Sequence, residues 1–196
     1  MQILGIGGHA KVVIETVKLA GFEISGIYDD DINLLGKLYQ GSKVLGTINN
    51  SITGEAIISI GNNSVRHKIH TLLSSCIWKT IIHPKAIVSE DVEIGEGSII
   101  MAGAIIQAGV KIGKHTIINT GSCIDHDCEI GDFVHIAPSC GLAGGVKVGD
   151  GSFIGIGTSI IPNCIIGDWV IVGAGSTVIN NLSERQTFVG VPAKKK

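Results

Sequence analysis

One hexapeptide of this chain concentrates the groups able to move a proton at neutral pH: Cys123-Ile124-Asp125-His126-Asp127-Cys128. A neutral imidazole accepts a proton near pH 7, and a neighbouring carboxylate can hold its tautomer and stabilise the imidazolium. That pairing suits transfer of an acyl group from a thioester to an amine or hydroxyl, where the acceptor loses a proton and no protein nucleophile is needed. The plainer alternative is a solvated histidine in a polar corner. His135 is a second candidate, able to donate a hydrogen bond to the acyl carbonyl or the acceptor; its plain alternative is an interface histidine. His115 lacks an acidic neighbour, His83 before Pro84 reads as a linker residue, and His67 and His70 fall on an expected surface helix.

A second constellation opens the chain. Gly5-Ile6-Gly7-Gly8-His9-Ala10 fits G-x-G-x-x-[G/A] between an apolar strand, Gln2–Ile6, and a helical pattern, Lys11–Leu19. Asp29-Asp30 ends the next strand, Ile24–Tyr28. Such a turn lets phosphate approach backbone N–H groups at a helix N-terminus, while the acid accepts a hydrogen bond from ribose or base. A strand near Val44, a strand Ala56–Ile60 ending in Gly61-Asn62-Asn63, a helix Ser64–Leu73 and a strand Trp78–Ile82 follow. The alternation implies a small parallel sheet with flanking helices. It supplies one mononucleotide-binding half, so a nucleoside diphosphate fits better than NAD. The bland alternative is a tight βα turn without ligand.

The elements that must position His126 are of another kind. From Ile87 to Leu182 the chain divides without a gap into sixteen hexads, and the second position is aliphatic in every one. A helix cannot keep a strict period of six, because its faces recur near 3.6 residues. Period six fits a solenoid in which each hexad is a short strand plus a corner and three hexads close a triangular coil. His126 then faces outward, and His135, half a coil away, lies on the opposite side of the prism. The two can meet only where prisms pack side by side, which predicts a site between subunits. Cys128, Cys140 and Cys164 take the small inward sixth position as core residues, whereas Cys76 and Cys123 carry no signal.

Composition agrees. Hydrophobic residues make up 44% but aromatics only 4%, so Ile, Val, Ala and Leu build the core, and 28 glycines suit many tight turns. A net charge of −2 offers no broad basic surface for nucleic acid. No apolar run approaches the roughly 20 residues that span a bilayer, so no membrane insertion is expected. The start reads as a strand rather than a signal peptide, and five cysteines without a CxxC pair suit a reducing cytoplasm. The fold expected is an α/β Rossmann-like nucleotide-binding unit, residues 1–82, followed by a left-handed parallel β-helix, residues 83–196.

Gly7-Gly8-His9-Ala10, Tyr28-Asp29-Asp30, Ile60-Gly61-Asn62-Asn63 with Arg66, Asn119-Thr120, Asp125-His126-Asp127, His135 and Val189-Gly190-Val191-Pro192-Ala193-Lys194 together resemble the PglD/NeuD group of bacterial sugar acyltransferases among the hexapeptide-repeat transferases. The resemblance spans essentially the whole chain. It implies a homotrimer with acetyl-CoA lying between prisms, His126 as general base, Asp127 as its orienting partner and His135 as the second active-site histidine. It places Gly144, Ala174 and His135 at acetyl-CoA, and Gly7, Gly8, His9, Asp29, Asp30, Gly61 and Asn62 at the nucleotide-linked sugar. The family often has Glu on either side of this histidine, where Asp stands here. The activity implied is N-acetylation of an amino group, at C4, of a UDP-linked deoxyamino sugar for a surface glycan or glycoprotein. The alternative is O-acetylation of sialic acid or another sugar. A zinc hydratase of the carbonic anhydrase kind needs three converging histidines; only His126 and His135 qualify and both neighbours of His126 suit a base, so no metal is expected. A non-catalytic sensor is disfavoured by the intact Asp-His-Asp.

Overall fold

The computed structural model describes all 196 residues. Its first unit comprises β1 (Gln2–Leu4), α1 (Gly8–Leu19), β2 (Gly26–Tyr28), β3 (Leu38–Tyr39), β4 (Ser42–Gly46), β5 (Gly54–Ile58), α2 (Asn63–Leu72) and β6 (Cys76–Trp78). The strands lie in the order β3-β4-β2-β1-β5-β6, all parallel except the β3–β4 hairpin. That hairpin is absent from the sequence reading, because a two-residue strand shows no alternation. The chain runs outward from β1 to one side and from β5 to the other, so the ends of these neighbours flank the crevice where such sheets take ligands. Helix α1 buries Val13, Ile14 and Val17 against Ile3, Ile27 and Ile57. On the other face Ile69 and Leu73 pack with Leu4, Ile58 and Trp78.

The expected strand Trp78–Ile82 is two elements. β6 stops at Trp78, and Ile81–Ile82 pair instead with Ile99–Ile100 as the first solenoid rung. The solenoid therefore starts two residues before the expected boundary, and His83 is no linker residue: it is buried in the third position of the hexad Ile81–Ala86, its Nδ1 accepting from the Lys85 N–H at 2.9 Å. Lys79 and Thr80, at the change of sheet, are too short a break to mark it in a sequence reading.

Beyond Ile81 the hexad rule holds. Ile100, Ile118, Ile136, Ile154 and Val172 pair in register, each eighteen residues from the last. Three sheets, parallel except for a terminal antiparallel pair of Thr187–Val189 with Lys194–Lys195, enclose a core of 25 buried residues that includes Cys128, Cys140 and Cys164. Fully burying each aliphatic side chain contributes roughly 1.5–3 kcal/mol. From Gly97 to Gly175 every corner has a left-handed residue at the fifth position. Glycine supplies many; His115, Asp127, Phe133, Ser139, Asn163 and Trp169 adopt φ of 51–61° themselves, at about 1–2 kcal/mol apiece.

The three outer faces differ, and the difference places the first unit. One face presents Glu93, Lys111, Glu129 and Lys147, paired at 3.7 and 2.9 Å, to solvent. A second presents the small residues Cys123, Gly141 and Ser159, leaving a groove of about 390 Å³. The third begins with Ile81 and Ile99, which join the core beneath α1, and continues through Ile117, His135, Phe153 and Ile171.

Helix α2 lies on an edge of that third face, so His70 is not a surface residue. It is half-buried, 4.4 Å from the ring of His115. His115, unremarkable in the sequence, has no exposure and stacks on Phe133 at 5.2 Å and 3°. His67 remains exposed but packs edge-on to Phe133 at 4.8 Å.

Candidate active site

His126 and Asp127 occupy the fourth and fifth positions of one corner. The left-handed φ of 59° at Asp127 turns its carboxylate back toward the preceding ring. Its Oδ2 accepts from His126 Nδ1 at 2.8 Å, while Asp125 Oδ1 accepts the His126 backbone N–H at 2.9 Å. With Nδ1 bearing the proton, Nε2 is the basic nitrogen. The Asp127 hydrogen bond, then the charge of Asp125, raise the His126 pKa above its usual 6.5. One rung on stands Gly144, the eighteenth residue after His126, in a cleft of about 290 Å³ shared with Asp125, Ala143, Pro162 and Asn163.

Gly144 is required by the ring rather than by the turn. A Cβ there would lie 2.6 Å from His126 Cε1 and Nε2. Because the imidazole is exposed it can swing aside, so Gly144→Ala is expected to leave the melting temperature nearly unchanged while displacing the base. A loss of about 10²-fold in turnover is the expected size for a misplacement near 1 Å; parallel melting and rate measurements check it. The Gly144 and Ala174 N–H groups donate to nothing within the chain, so both remain available to a ligand.

His135 is elsewhere. It sits on the third face, 7% exposed, with Nδ1 3.1 Å from the Gly61 carbonyl and Nε2 3.0 Å from Asn119 Nδ2. Burial pushes its pKa down to about 4. The ring of His9, the second residue of α1, lies 5.8 Å away. A single chain thus separates His126 from His135 and brings His135 to the first unit. Ala174 is exposed at a corner other than that of His126 and Gly144.

At the first unit, Gly5 takes φ +102°, and a Cβ there would strike Ile60. Gly7 and Gly8 are exposed at the start of α1, and a Cβ on either would meet nothing within 4 Å, so a phosphate has open approach to the helix end. Asp29 has a structural duty at the turn. Its Oδ2 accepts from Ile6 N at 2.6 Å and its Oδ1 from Asp31 N at 2.9 Å, which ties two strand ends together. Asp30 spends one oxygen on Ile48 N at 3.0 Å and is the acid with an oxygen to spare. Both line a pocket of about 320 Å³ with Ile48, Val65, Lys68 and Leu72. Nothing in the sequence singles out those four, because they lie on a loop and on one stripe of α2. Asn62 caps α2 by accepting from Val65 N at 3.0 Å.

Within one chain no three His, Cys, Asp or Glu side chains converge where they could hold a metal ion. No helix is long and apolar enough to cross a membrane.

Comparison with known proteins decides the family. Residues 1–73 match the PglD N-terminal domain, and residues 91–126 and 145–180 match the bacterial transferase hexapeptide repeat. PerB from Caulobacter crescentus, solved with CoA and GDP-perosamine, superposes with a TM-score of 0.92 and is 39% identical, covering 100% of this chain and 96% of its own. This chain belongs to the PglD family of hexapeptide-repeat sugar acetyltransferases. The acetyltransferase domain of PglB from Neisseria gonorrhoeae, solved with acetyl coenzyme A, matches at 34% identity and a TM-score of 0.93, covering 100% of the PglD-family chain and 98% of its own. A Bacillus subtilis UDP-N-acetylbacillosamine N-acetyltransferase is 42% identical over 114 residues, which are 52% of this chain and 51% of that protein. An uncharacterized protein of Acanthamoeba polyphaga mimivirus is 35% identical over 116 residues, 23% of its length. The matched stretches thus span about half or less of these two curated relatives.

Proposed function

We propose that this chain transfers the acetyl group of acetyl-CoA to an amine, at C4, of a UDP-linked deoxyamino sugar destined for a surface glycan or glycoprotein. It works in the cytoplasm as a homotrimer. The observation that carries the reading is His126: Nδ1 held by Asp127, Nε2 unobstructed above a glycine, in a cleft on a prism corner. The neutral amine attacks the thioester carbonyl, forming the C–N bond. Its proton passes to His126 Nε2, and collapse of the tetrahedral intermediate breaks the C–S bond. The departing thiolate takes the proton back from the imidazolium, leaving amide and CoA thiol. The unused N–H groups of Gly144 and Ala174 supply donors to the thioester ligand. Gly7, Gly8, His9, Asp29, Asp30, Gly61 and Asn62 hold the nucleotide-linked sugar, with Asp29 also shaping the turn. His135 joins this end of the chain to the groove, and a neighbouring copy brings its own His126 to it.

The relatives support the substrate class: PerB was solved with GDP-perosamine, and the Bacillus relative is named for a UDP-sugar. The test is thiol release from acetyl-CoA against UDP-, GDP- and TDP-linked amino sugars, with free sialic acid as the control for O-acetylation. Release is expected with a UDP-linked 4-amino sugar; release with sialic acid alone refutes the amine assignment.

A further inference from the structure

The largest fully buried side chain of the molecule is a cation, Arg66, 1% exposed on α2. No carboxylate meets it. Nε donates to the His115 carbonyl at 2.8 Å. Nη1 donates to the carbonyls of Ile60 at 3.1 Å and Gly61 at 3.3 Å. Nη2 reaches Asn63 Oδ1 at 3.0 Å and the carbonyls of Phe133 and Val134 at 2.8 and 3.1 Å. These acceptors belong to the segment after β5, the first turn of α2 and two solenoid rungs. A buried charge held by carbonyl dipoles alone is costly, since removing an ion from water takes several kcal/mol even after relaxation. An apolar side chain in the same space would leave the carbonyls of Ile60, His115 and Phe133 without a donor, so the guanidinium fork holds separate segments in one arrangement.

That arrangement is visible at Gly61. Its carbonyl takes the Arg66 donor from one side and His135 Nδ1 at 3.1 Å from the other. A carbonyl only accepts, so His135 carries its proton on Nδ1. Asn119 confirms this from the far side: its Oδ1 accepts from Thr120 N at 2.8 Å, which leaves Nδ2 to donate to His135 Nε2 at 3.0 Å.

We propose that Arg66 is a positioning residue: its guanidinium fork aims the Gly61 carbonyl, which locks His135 in the Nδ1–H tautomer with its Nε2 lone pair turned to Asn119 on the solenoid corner. One buried side chain thereby couples the nucleotide end of the first unit to the histidine on the prism. The burial and charge of its surroundings, Arg66 included, keep His135 neutral. The claim about the tautomer stands on geometry alone; its consequence for turnover rests on the transferase reading above.

Histidine-labelled protein, observed by ring ¹⁵N and ¹³C chemical shifts, tests it in the wild type, in Arg66→Lys, which keeps the charge and loses the fork, and in Arg66→Gln, which keeps an amide donor and loses the charge. The wild type is expected to show His135 wholly as Nδ1–H. At least one folded variant is expected to show a mixture with the Nε2–H form, and turnover of the amino sugar to fall about 10- to 100-fold. If a folded variant melts like the wild type and neither variant alters the tautomer, the proposal is overturned. It is equally overturned if neither variant folds, since Arg66 is then only a structural strut, or if the wild type is the Nε2–H tautomer. A shifted tautomer in an enzyme that acetylates no amino sugar upholds the positioning role and rejects the transferase reading instead.

Discussion

His126→Ala is expected to lower kcat/KM for acetyl transfer by about 10²–10⁴-fold, the range for loss of a general base, while the circular dichroism and melting curve stay those of the wild type. The ring is exposed and its Nε2 meets no protein group, so no packing is lost with it. Asp127→Asn separates the two things the carboxylate does. It removes the stronger of the contacts that raise the His126 pKa, so that pKa falls. The base acts in its deprotonated form; the acid limb of log kcat/KM, which rises with pH through the His126 pKa, therefore moves to lower pH in Asp127→Asn. The plateau above it drops, because a weaker base with a free tautomer removes the proton less well. A pH–rate profile from pH 5 to 9 reads both. An unchanged limb would assign the titration to some other group, and an undiminished rate in His126→Ala would end the mechanism.

The second large effect is on stability in acid. His115 is held down to about 3, chiefly by burial and then by His70, Arg66 and Lys114. His9 and His135 are held to about 4, both chiefly by burial. In the unfolded chain each titrates near 6.5. Between these values the unfolded state binds protons that the folded state refuses, so stability rises with pH there. The contribution is fully present above pH 6.5 and is lost as pH falls toward 3–4. From pH 7 to 5 each histidine accounts for a loss of roughly 2 kcal/mol. His115→Phe keeps an aromatic ring on Phe133, at a corner position where Phe133 and Trp169 already adopt the same left-handed conformation. It is expected to retain about 2 kcal/mol more of its pH 7 stability at pH 5 than the wild type. Urea unfolding at the two pH values decides; equal losses in both proteins would place the acid sensitivity elsewhere.

The legible parts of this molecule are those whose signal is local or periodic. Sixteen aliphatic second positions could be read without any partner, because each strand pairs with an equivalent eighteen residues away. The His126–Asp127 pair could be read because imidazole and carboxylate are chain neighbours, within the reach of one corner. The illegible parts are those where distant segments meet. Arg66 on a helix looks like a solvated cation; its burial depends on carbonyls 49 to 68 residues away. His115, Phe133 and Trp169 look like irregularities in the fifth column, and they become the bed for α2 only once that helix is docked. Asp29 has the type and place of a ribose ligand, and its hydrogen bonds to the Ile6 and Asp31 N–H groups appear only once the two strand ends are side by side.

What the amino-acid order alone determined is therefore the solenoid, the βα turn and the Asp125-His126-Asp127 corner, since side-chain periodicity and adjacency act over a few bonds. Only the tertiary structure decided where the first unit sits and what His135 touches. Ile81 and Ile99 continue an outward row that water would cover on a lone prism. Burying them against α1, together with α2 packing on His115 and Phe133, brings the Gly61 carbonyl to the imidazole. Free energy of apolar contact between units remote in sequence has no local signature, so no reading of neighbours along the chain could have located it.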